Sequence, residues 1–598
     1  IATSLTDWLK SANQISKMSP FTLRTPAMKS RKTSYCVFTF VIACFLSACS
    51  TEQKPQENAR LDSNSMRQAA IAVSDKYAAN VAEEILLAGG NAVDAAVATG
   101  FALAVTYIDA GNIGGGGFML IHMEGKPYFL DYRETAPMKA HRDMFLDENG
   151  NVAKNSTLIG PRAAGVPGTV AGFWAAHQKF GKLSWKQVLA PAIKLARDGF
   201  IPANKLAREV QSHFDWFGTS TNFKEHFSEL KAGERFKQPA LAATLARIAK
   251  NGHDEFYTGE TSKLIVNQME RDGGLIDAAD LAAYQAIWRE PLSANWREYE
   301  ILSAPPPSSG GFGVIQLLKM KDYLAQAFEN VEHNSPQYVH LVAEMEKRVF
   351  ADRAEYLGDP AFVDIDMTAL ISDAYIKRRA GEVNPDAISK MEEVTPGLES
   401  PNTTHYSILD GDGNAVSNTY TINWAFGSGV VVSGGGFLLN NEMDDFSAKP
   451  GVPNIFGVVG NTANEVQPGK RMLSSMSPTL LIKDNEPHMV IGTPGGSTIF
   501  TSVFQIISNI IDFNMSPMDA AGATRFHHQL LPPDLITQSP MRPLSDQTIR
   551  GLGEKGYRVE PHGWAFGDIQ VIWRDDGNKL IPASDSRNRG VSKVIALP

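Results

Sequence analysis

Apolar residues recur at helical spacing between residues 73 and 106, which predicts two consecutive helices. The first covers residues 78–88, and its apolar face carries Val81, Ile85 and Leu86. A glycine pair follows and ends this helix in the manner of a C-terminal glycine cap. Asn91 begins the second helix, and Asp94, three residues later, completes a variant of the capping box.

Beyond these helices, four consecutive glycines at 114–117 precede strand-like runs at 118–122 and 127–131. The glycines follow a helical pattern and lack a GK[ST] ending, so they do not indicate a nucleotide site. They let the backbone approach another backbone or a ligand closely. Residues 165–395 alternate amphipathic helices with polar loops, and the proline-rich stretch 304–311 predicts a rigid loop.

The pattern changes to strands after residue 402. Two β-rich runs, 406–409 and 415–421, flank an Asp-Gly-Asp-Gly-Asn segment, which is a strong hairpin signal. If the turn is centred on Asp412, Thr403 lies opposite Thr421. Two hydroxyl groups then face each other at one end of a sheet.

A second turn of interest joins the strand-like run 489–491 to apolar residues at helical spacing over 499–510. Ser497 is predicted to be the N-cap of that helix. Gly495 and Gly496 would present backbone N–H groups at the helix N-terminus, an arrangement that suits a developing oxyanion. Taken alone, the turn favours a purely structural role, because many strand-to-helix turns contain Gly-Gly only for backbone geometry.

Composition excludes several kinds of chemistry. The chain has 598 residues, 43% hydrophobic content and a net charge of −9, without a Lys/Arg cluster that would favour nucleic acid. The only cysteines are Cys36, Cys44 and Cys49, so the rest of the chain has no disulfide, thiolate metal site or Cys nucleophile. The adjacent His527 and His528 would point apart and make a poor chelate. We therefore expect no metal site.

The pattern of the N-terminal region predicts a targeting sequence. A basic run precedes the apolar stretch 35–45, which is too short to span a bilayer but suits a secretory signal. It ends in a segment resembling a bacterial lipobox, with Cys49 as the residue that would be diacylated, and Ser50 favours the outer membrane. We expect a signal-containing segment at 1–48, a polar tether at 49–67, and a lipid-anchored protein in the periplasm of a Gram-negative bacterium. A plain cleaved signal peptide is the alternative.

Six motifs, in order along residues 68–598, closely resemble those of γ-glutamyltransferases. They are residues 114–117, 131–137, 401–407, 440–447, 471–478 and 493–497. The resemblance implies an α+β fold, the four-layer αββα sandwich of N-terminal-nucleophile hydrolases. It also implies one precursor that cleaves itself into a large subunit, 68–402, and a small subunit, 403–598, which form a heterodimer.

The resemblance further implies cleavage between Asn402 and Thr403, which makes Thr403 the nucleophile of a γ-glutamyl transfer. A hydroxyl needs a base, and a freed α-amino group with a pKa of about 7.7–8.0 can serve as one. Thr421 is implied to hydrogen-bond near this nucleophile. Gly495 and Gly496 are implied to supply the oxyanion N–H groups.

The same resemblance assigns a substrate site for γ-glutamyl compounds, with glutathione as the expected donor. Arg133 would clamp the α-carboxylate, because a guanidinium fork matches two oxygens. Two residues would assist it: Ser474 and Ser475. Three residues would hold the α-ammonium: Asp445, Asn423 and Glu442. The chemistry requires neither a metal nor an organic cofactor, and the membrane is involved only through the lipid anchor.

Two alternatives stay open at this point. Related acylases of the same fold release glutaryl side chains, although a glutaryl chain has no amine for the ammonium site to pair. The chain could also be an uncleaved binding lipoprotein without activity. Phe456 stands where family members with a lid carry Tyr, so tight closure over the site is not implied.

Overall fold

Two β-sheets stacked face to face form the centre of the fold. The computed structural model describes residues 67–389, 403–449, 462–563 and 566–598. The strands of the first sheet are β1 Gln68–Val73, β2 Gly116–Met123, β3 Lys126–Asp131, β4 Ile287–Arg289, β7 Thr403–Leu409, β8 Ala415–Thr421 and β16 Val591–Ala596. Across the sheet they run β16-β1-β7-β8-β2-β3-β4, and neighbouring strands are antiparallel.

The second sheet is also antiparallel. Its strands are β5 Leu292–Trp296, β6 Tyr299–Ser303, β9 Thr479–Lys483, β10 Glu486–Gly492, β14 Gln570–Arg574 and β15 Leu580–Ser584. They run β15-β14-β10-β9-β6-β5 across the sheet. A small third sheet comprises β11 Phe526–His527, β12 Leu535–Gln538 and β13 Arg558–Pro561.

Helices cover the outer face of each large sheet. Those that share an apolar cluster with the first sheet are α1 Lys76–Leu87, α2 Ala92–Thr106, α3 Thr169–Phe180, α4 Trp185–Asp198, α5 Asn204–Phe217, α6 Phe223–Phe227, α7 Pro239–Asn251, α8 His253–Tyr257, α9 Glu260–Asp272 and α10 Ala278–Ala283. Those clustered with the second are α11 Gly310–Tyr323, α12 Pro336–Tyr356, α13 Met367–Leu370, α14 Asp373–Gly381, α15 Thr498–Ile511, α16 Pro517–Gly522 and α17 Asp546–Glu554.

The alternation of side chains along the strands produces this layering. In β7, Tyr406 and Ile408 pack against the helices, whereas Leu409 joins the apolar cluster between the sheets. Successive strand residues point to opposite faces, so one strand can serve both layers. The predicted αββα order is therefore confirmed.

Both sheets mix strands from the two sides of residue 402. Strand β1 pairs with β7, β2 with β8, and β6 with β9. A break between Asn402 and Thr403 would leave each of these hydrogen-bonded ladders intact. The arrangement therefore suits a precursor whose two products stay together after cleavage.

The local predictions for residues 73–131 are confirmed, whereas the prediction of helices alternating with loops over 165–395 is wrong at β4, β5 and β6, whose partners include strands distant in sequence. Helices α1 and α2 lie where the spacing of apolar residues predicts them. Asn91 and Asp94 form the reciprocal hydrogen bonds of a capping box. Strands β2 and β3 match the predicted runs. Over the described ranges, no helix combines the length and apolar content needed to cross a bilayer.

Candidate active site

The hairpin β7–β8 brings two threonines together. Thr403 pairs with Thr421 in the antiparallel register, which confirms the predicted alignment. The Thr403 hydroxyl donates to Thr421 Oγ1 over 3.4 Å, and the Asn423 N–H donates to the same oxygen over 2.8 Å. The turn is fixed by Asp410, which accepts hydrogen bonds from the N–H groups of Asp412 and Ala92, the latter at the start of α2.

A glycine turn faces the end of this hairpin, between β10 and α15. Gly495 and Gly496 both have positive φ, +144° and +57°, which only glycine adopts without strain. Among the described residues, neither N–H has a hydrogen-bond acceptor. These donors are therefore available to a ligand. Ser497 stands at the N-cap position, but its hydroxyl donates to Gln529 Oε1 over 3.1 Å rather than capping the helix.

A narrow cavity lies between the hairpin end and the glycine turn. Its lining consists of Arg133, Thr403, Thr421, Asn423, Glu442, Asp445, Ser474, Ser475, Met476, Gly496 and Ile499. Most of the residues assigned to the site from the sequence thus meet in one place, and Gly495 is adjacent to the lining without being part of it. Three further predicted residues lie outside the described part of the chain: Cys49, Asn402 and Phe456.

Arg133 is the cation of the cavity and is completely buried. Its guanidinium donates to Glu442 and to Asp445, and Glu134 Oε2 lies 3.7 Å from Nη1. Burial lowers the pKa of Arg133, but the three carboxylates outweigh that effect and raise it, so the guanidinium stays charged. Burial also raises the pKa of Glu442 well above its usual range, against the opposing effect of Arg133.

Glu134 was not assigned a role from the sequence, although it stands beside Arg133. Neither of its carboxylate oxygens has a hydrogen-bond partner in the described structure, and burial raises its pKa to about 7 against the attraction of Arg133. A Cβ on Gly116 would come within 2.6 Å of Glu134 Oε2. One glycine of the 114–117 run therefore makes room for a buried acid, a relation that the sequence pattern did not reveal.

His405 connects the nucleophile strand to the neighbouring sheet. Its imidazole, fully buried, hydrogen-bonds to Thr419 Oγ1 at 2.8 Å and Ser407 Oγ at 3.1 Å. Burial lowers its pKa to about 3, so the ring is neutral. A Cβ on Gly492, at the end of β10, would come within 2.3 Å of this ring. The two strands that carry Thr403 and the glycine turn thus meet at this contact.

The adjacent histidines bind separate partners. His527 hydrogen-bonds to Thr501 Oγ1 at 3.0 Å, whereas His528 accepts the Leu530 N–H at 3.0 Å. In the described ranges, no group of three or more His, Cys, Asp or Glu side chains could hold a metal ion.

The comparisons with known proteins agree with this geometry. A family model described as gamma-glutamyltranspeptidase matches residues 78–595. The chain is 57% identical over 526 residues to a glutathione hydrolase proenzyme of Pseudomonas aeruginosa, covering 88% of this chain and 94% of the relative. It belongs to the γ-glutamyltranspeptidase family. A glutathione hydrolase proenzyme of Escherichia coli is 45% identical, with 87% and 91% covered.

Solved structures place this γ-glutamyltranspeptidase family member among N-terminal-nucleophile hydrolases. A cephalosporin acylase from Bacillus halodurans aligns with a TM-score of 0.77 at 27% identity, covering 91% of this chain and 99% of that one. A γ-glutamyltranspeptidase chain from Pseudomonas nitroreducens, complexed with L-DON, aligns with a TM-score of 0.53 at 56% identity. That match covers 96% of the solved chain but 54% of this one. The relatives' names describe them as proenzymes, in keeping with a precursor that is processed.

Proposed function

We propose that the chain is a γ-glutamyltransferase and glutathione hydrolase whose nucleophile, Thr403, is exposed by cleavage of the Asn402–Thr403 bond. The observation that carries this proposal is the position of Thr403. It is the first residue of β7, its hydroxyl contacts Thr421, and it shares a cavity with Arg133 and two carboxylates. The 57% identity to a glutathione hydrolase proenzyme supports glutathione as a donor.

Cleavage supplies the base that the hydroxyl lacks. Within an intact chain the Thr403 nitrogen is an amide and cannot accept a proton. Once freed, the α-amine accepts the hydroxyl proton while Oγ1 attacks the γ-glutamyl carbonyl. The Thr421 hydroxyl, 3.4 Å from Oγ1, orients the attacking oxygen. The N–H groups of Gly495 and Gly496 stabilise the oxyanion, and the amine returns the proton to the leaving group.

The charges of the cavity match an α-amino acid head group. Arg133 is the partner for the α-carboxylate, and the carboxylates around it offset the α-ammonium. The Glu442 side chain is 1% exposed and that of Asp445 is 17% exposed. Asp445 is therefore the carboxylate that an incoming ammonium reaches first, and Asn423 lines the same cavity. Water or an amine then attacks the acyl-enzyme, which gives hydrolysis or transfer.

The test is the hydrolysis of a γ-glutamyl anilide by the purified, cleaved protein. We expect release of the aniline, none with Thr403→Ala, and much slower reaction with the glutaryl analogue. The rival function, a glutaryl-type amidase, draws support from the alignment with a cephalosporin acylase. The partly exposed Asp445 disfavours it, because a glutaryl chain brings no ammonium for that carboxylate to pair with. Preference for the glutaryl compound would reverse the assignment, and an uncleaved, inactive protein would indicate a binding lipoprotein.

We also propose that Cys49 carries a lipid and anchors the protein in the periplasm, on the basis of the lipobox-like sequence. Growth with an alkyne-bearing fatty acid should label the wild-type protein and leave a Cys49→Ala variant unlabelled. Equal labelling of both would contradict the anchor, and no labelling of either would indicate a plain signal peptide.

A further inference from the structure

We propose that Arg353 is a positioning residue that holds Ser474 and Ser475 at the cavity, where they meet the α-carboxylate of the substrate. This inference rests on the proposed function, since it concerns how the γ-glutamyl head group is recognised. Arg353 lies on α12, belongs to none of the motifs that resemble the family, and is 4% exposed.

The two serines are held by the proline-rich loop that the sequence singled out. Ser474 N–H donates to the Pro307 carbonyl over 2.8 Å, and the Ser309 N–H donates to the Ser474 carbonyl over 2.7 Å. The Ser308 hydroxyl donates to the Met476 carbonyl over 2.7 Å. The loop therefore holds the backbone of Ser474 and Met476, on either side of Ser475, and the side chains of both serines line the cavity.

Arg353 joins this clamp at two points. Its Nε donates to the Ser309 hydroxyl over 3.0 Å, and that hydroxyl in turn donates to the Ser474 carbonyl over 2.8 Å. Its Nη2 lies 3.4 Å from Ser475 Oγ and donates to it. One guanidinium thus holds both the loop and a side chain that lines the cavity.

These hydrogen bonds fix the positions of the two serine oxygens. A guanidinium has donors and no acceptor, so Ser475 Oγ must accept from Arg353. Ser474 Oγ similarly accepts the Met476 N–H over 3.1 Å. Both serines line the cavity beside the Arg133 cation, and that cation favours a carboxylate over a neutral group.

The test compares two competitive inhibitors of γ-glutamyl anilide hydrolysis, L-glutamate and 4-aminobutyrate, which lacks the α-carboxylate. Hydrogen bonds to charged groups are worth about tenfold or more in binding. We expect Arg353→Gln to raise the KM of the anilide and the Ki of L-glutamate about tenfold. We expect kcat and the Ki of 4-aminobutyrate to stay within about twofold. Arg353→Lys retains a donor and should recover part of the loss.

The matched control is Arg348→Gln. Arg348 lies on the same helix at similar burial, but its guanidinium pairs with Glu344 at 2.8 Å and donates to Ser389, not to Ser474 or Ser475. We expect it to leave both Ki values unchanged. If Arg353→Gln does not yield the cleaved protein, Ser309→Ala removes the same link with less disturbance and should raise the Ki of L-glutamate selectively.

Equal effects on the two inhibitors, or no effect on either, in a cleaved Arg353 or Ser309 variant would overturn the inference. A wild-type protein that is cleaved but inactive on the γ-glutamyl anilide would instead refute the proposed function. The two failures are therefore distinguishable.

Discussion

The buried acid Glu134 should reduce the stability of the protein above neutral pH. Its pKa of about 7, against a usual 4.5, means that the folded state binds its proton more tightly than the unfolded state. Stability contributed by the protonated form is complete below pH 4.5 and is lost as the pH rises toward 7. The difference between the two pKa values corresponds to a loss of about 3 kcal/mol of stability at pH 8.5, and Glu134→Gln should remove this loss.

The assay is the thermal unfolding of the cleaved protein at pH 5 and pH 8.5. With a protein of this size, about 3 kcal/mol corresponds to an increase in Tm on the order of 3 °C. We expect the Tm of Glu134→Gln to exceed that of the wild type by about this amount at pH 8.5. At pH 5 the difference in Tm should disappear. Glu554→Gln, at an exposed position of α17, is the control. An equal difference from the wild type at both pH values would refute the reasoning.

Two further substitutions probe the alignment of nucleophile and oxyanion turn. Thr421→Val keeps the shape of the side chain but removes the hydroxyl that contacts Thr403 and accepts the Asn423 N–H. We expect kcat, measured from the release of aniline, to fall about 10- to 100-fold. Unchanged turnover would contradict this role. Gly492→Ala places a methyl group against the His405 ring, so we expect a lower Tm together with a lower kcat. A fully active and equally stable variant would contradict this prediction and show that β7 and β10 tolerate a larger separation.

The predictions from the sequence are most accurate where residues close together in the chain determine the structure. The Asp-Gly-Asp-Gly-Asn turn sets the hairpin register by itself, so Thr403 and Thr421 could be paired without other information. The capping residues of α2 are local in the same sense. Strand β1, by contrast, is a short Ala-rich run without a clear strand pattern. Strands β5 and β6 lie within a stretch whose pattern predicts helices and loops. These strands are stabilised by partners distant in sequence.

The candidate site shows the same division. Its residues could be named from motifs, but their ion pairing could not, because Arg133 meets Glu442 and Asp445 only after more than 300 residues of chain. The hydroxyl of Ser497 could have capped its helix and instead bonds to Gln529, 32 residues away. Long-range polar partners of this kind leave no periodic signal in the sequence.

Identification of the N-terminus of the smaller fragment tests the central claim most directly. Edman degradation or intact-mass measurement of the purified protein should show a 196-residue chain, 403–598, that begins with Thr403. An active protein whose Asn402–Thr403 bond is intact, or whose small fragment begins at another residue, would contradict the mechanism.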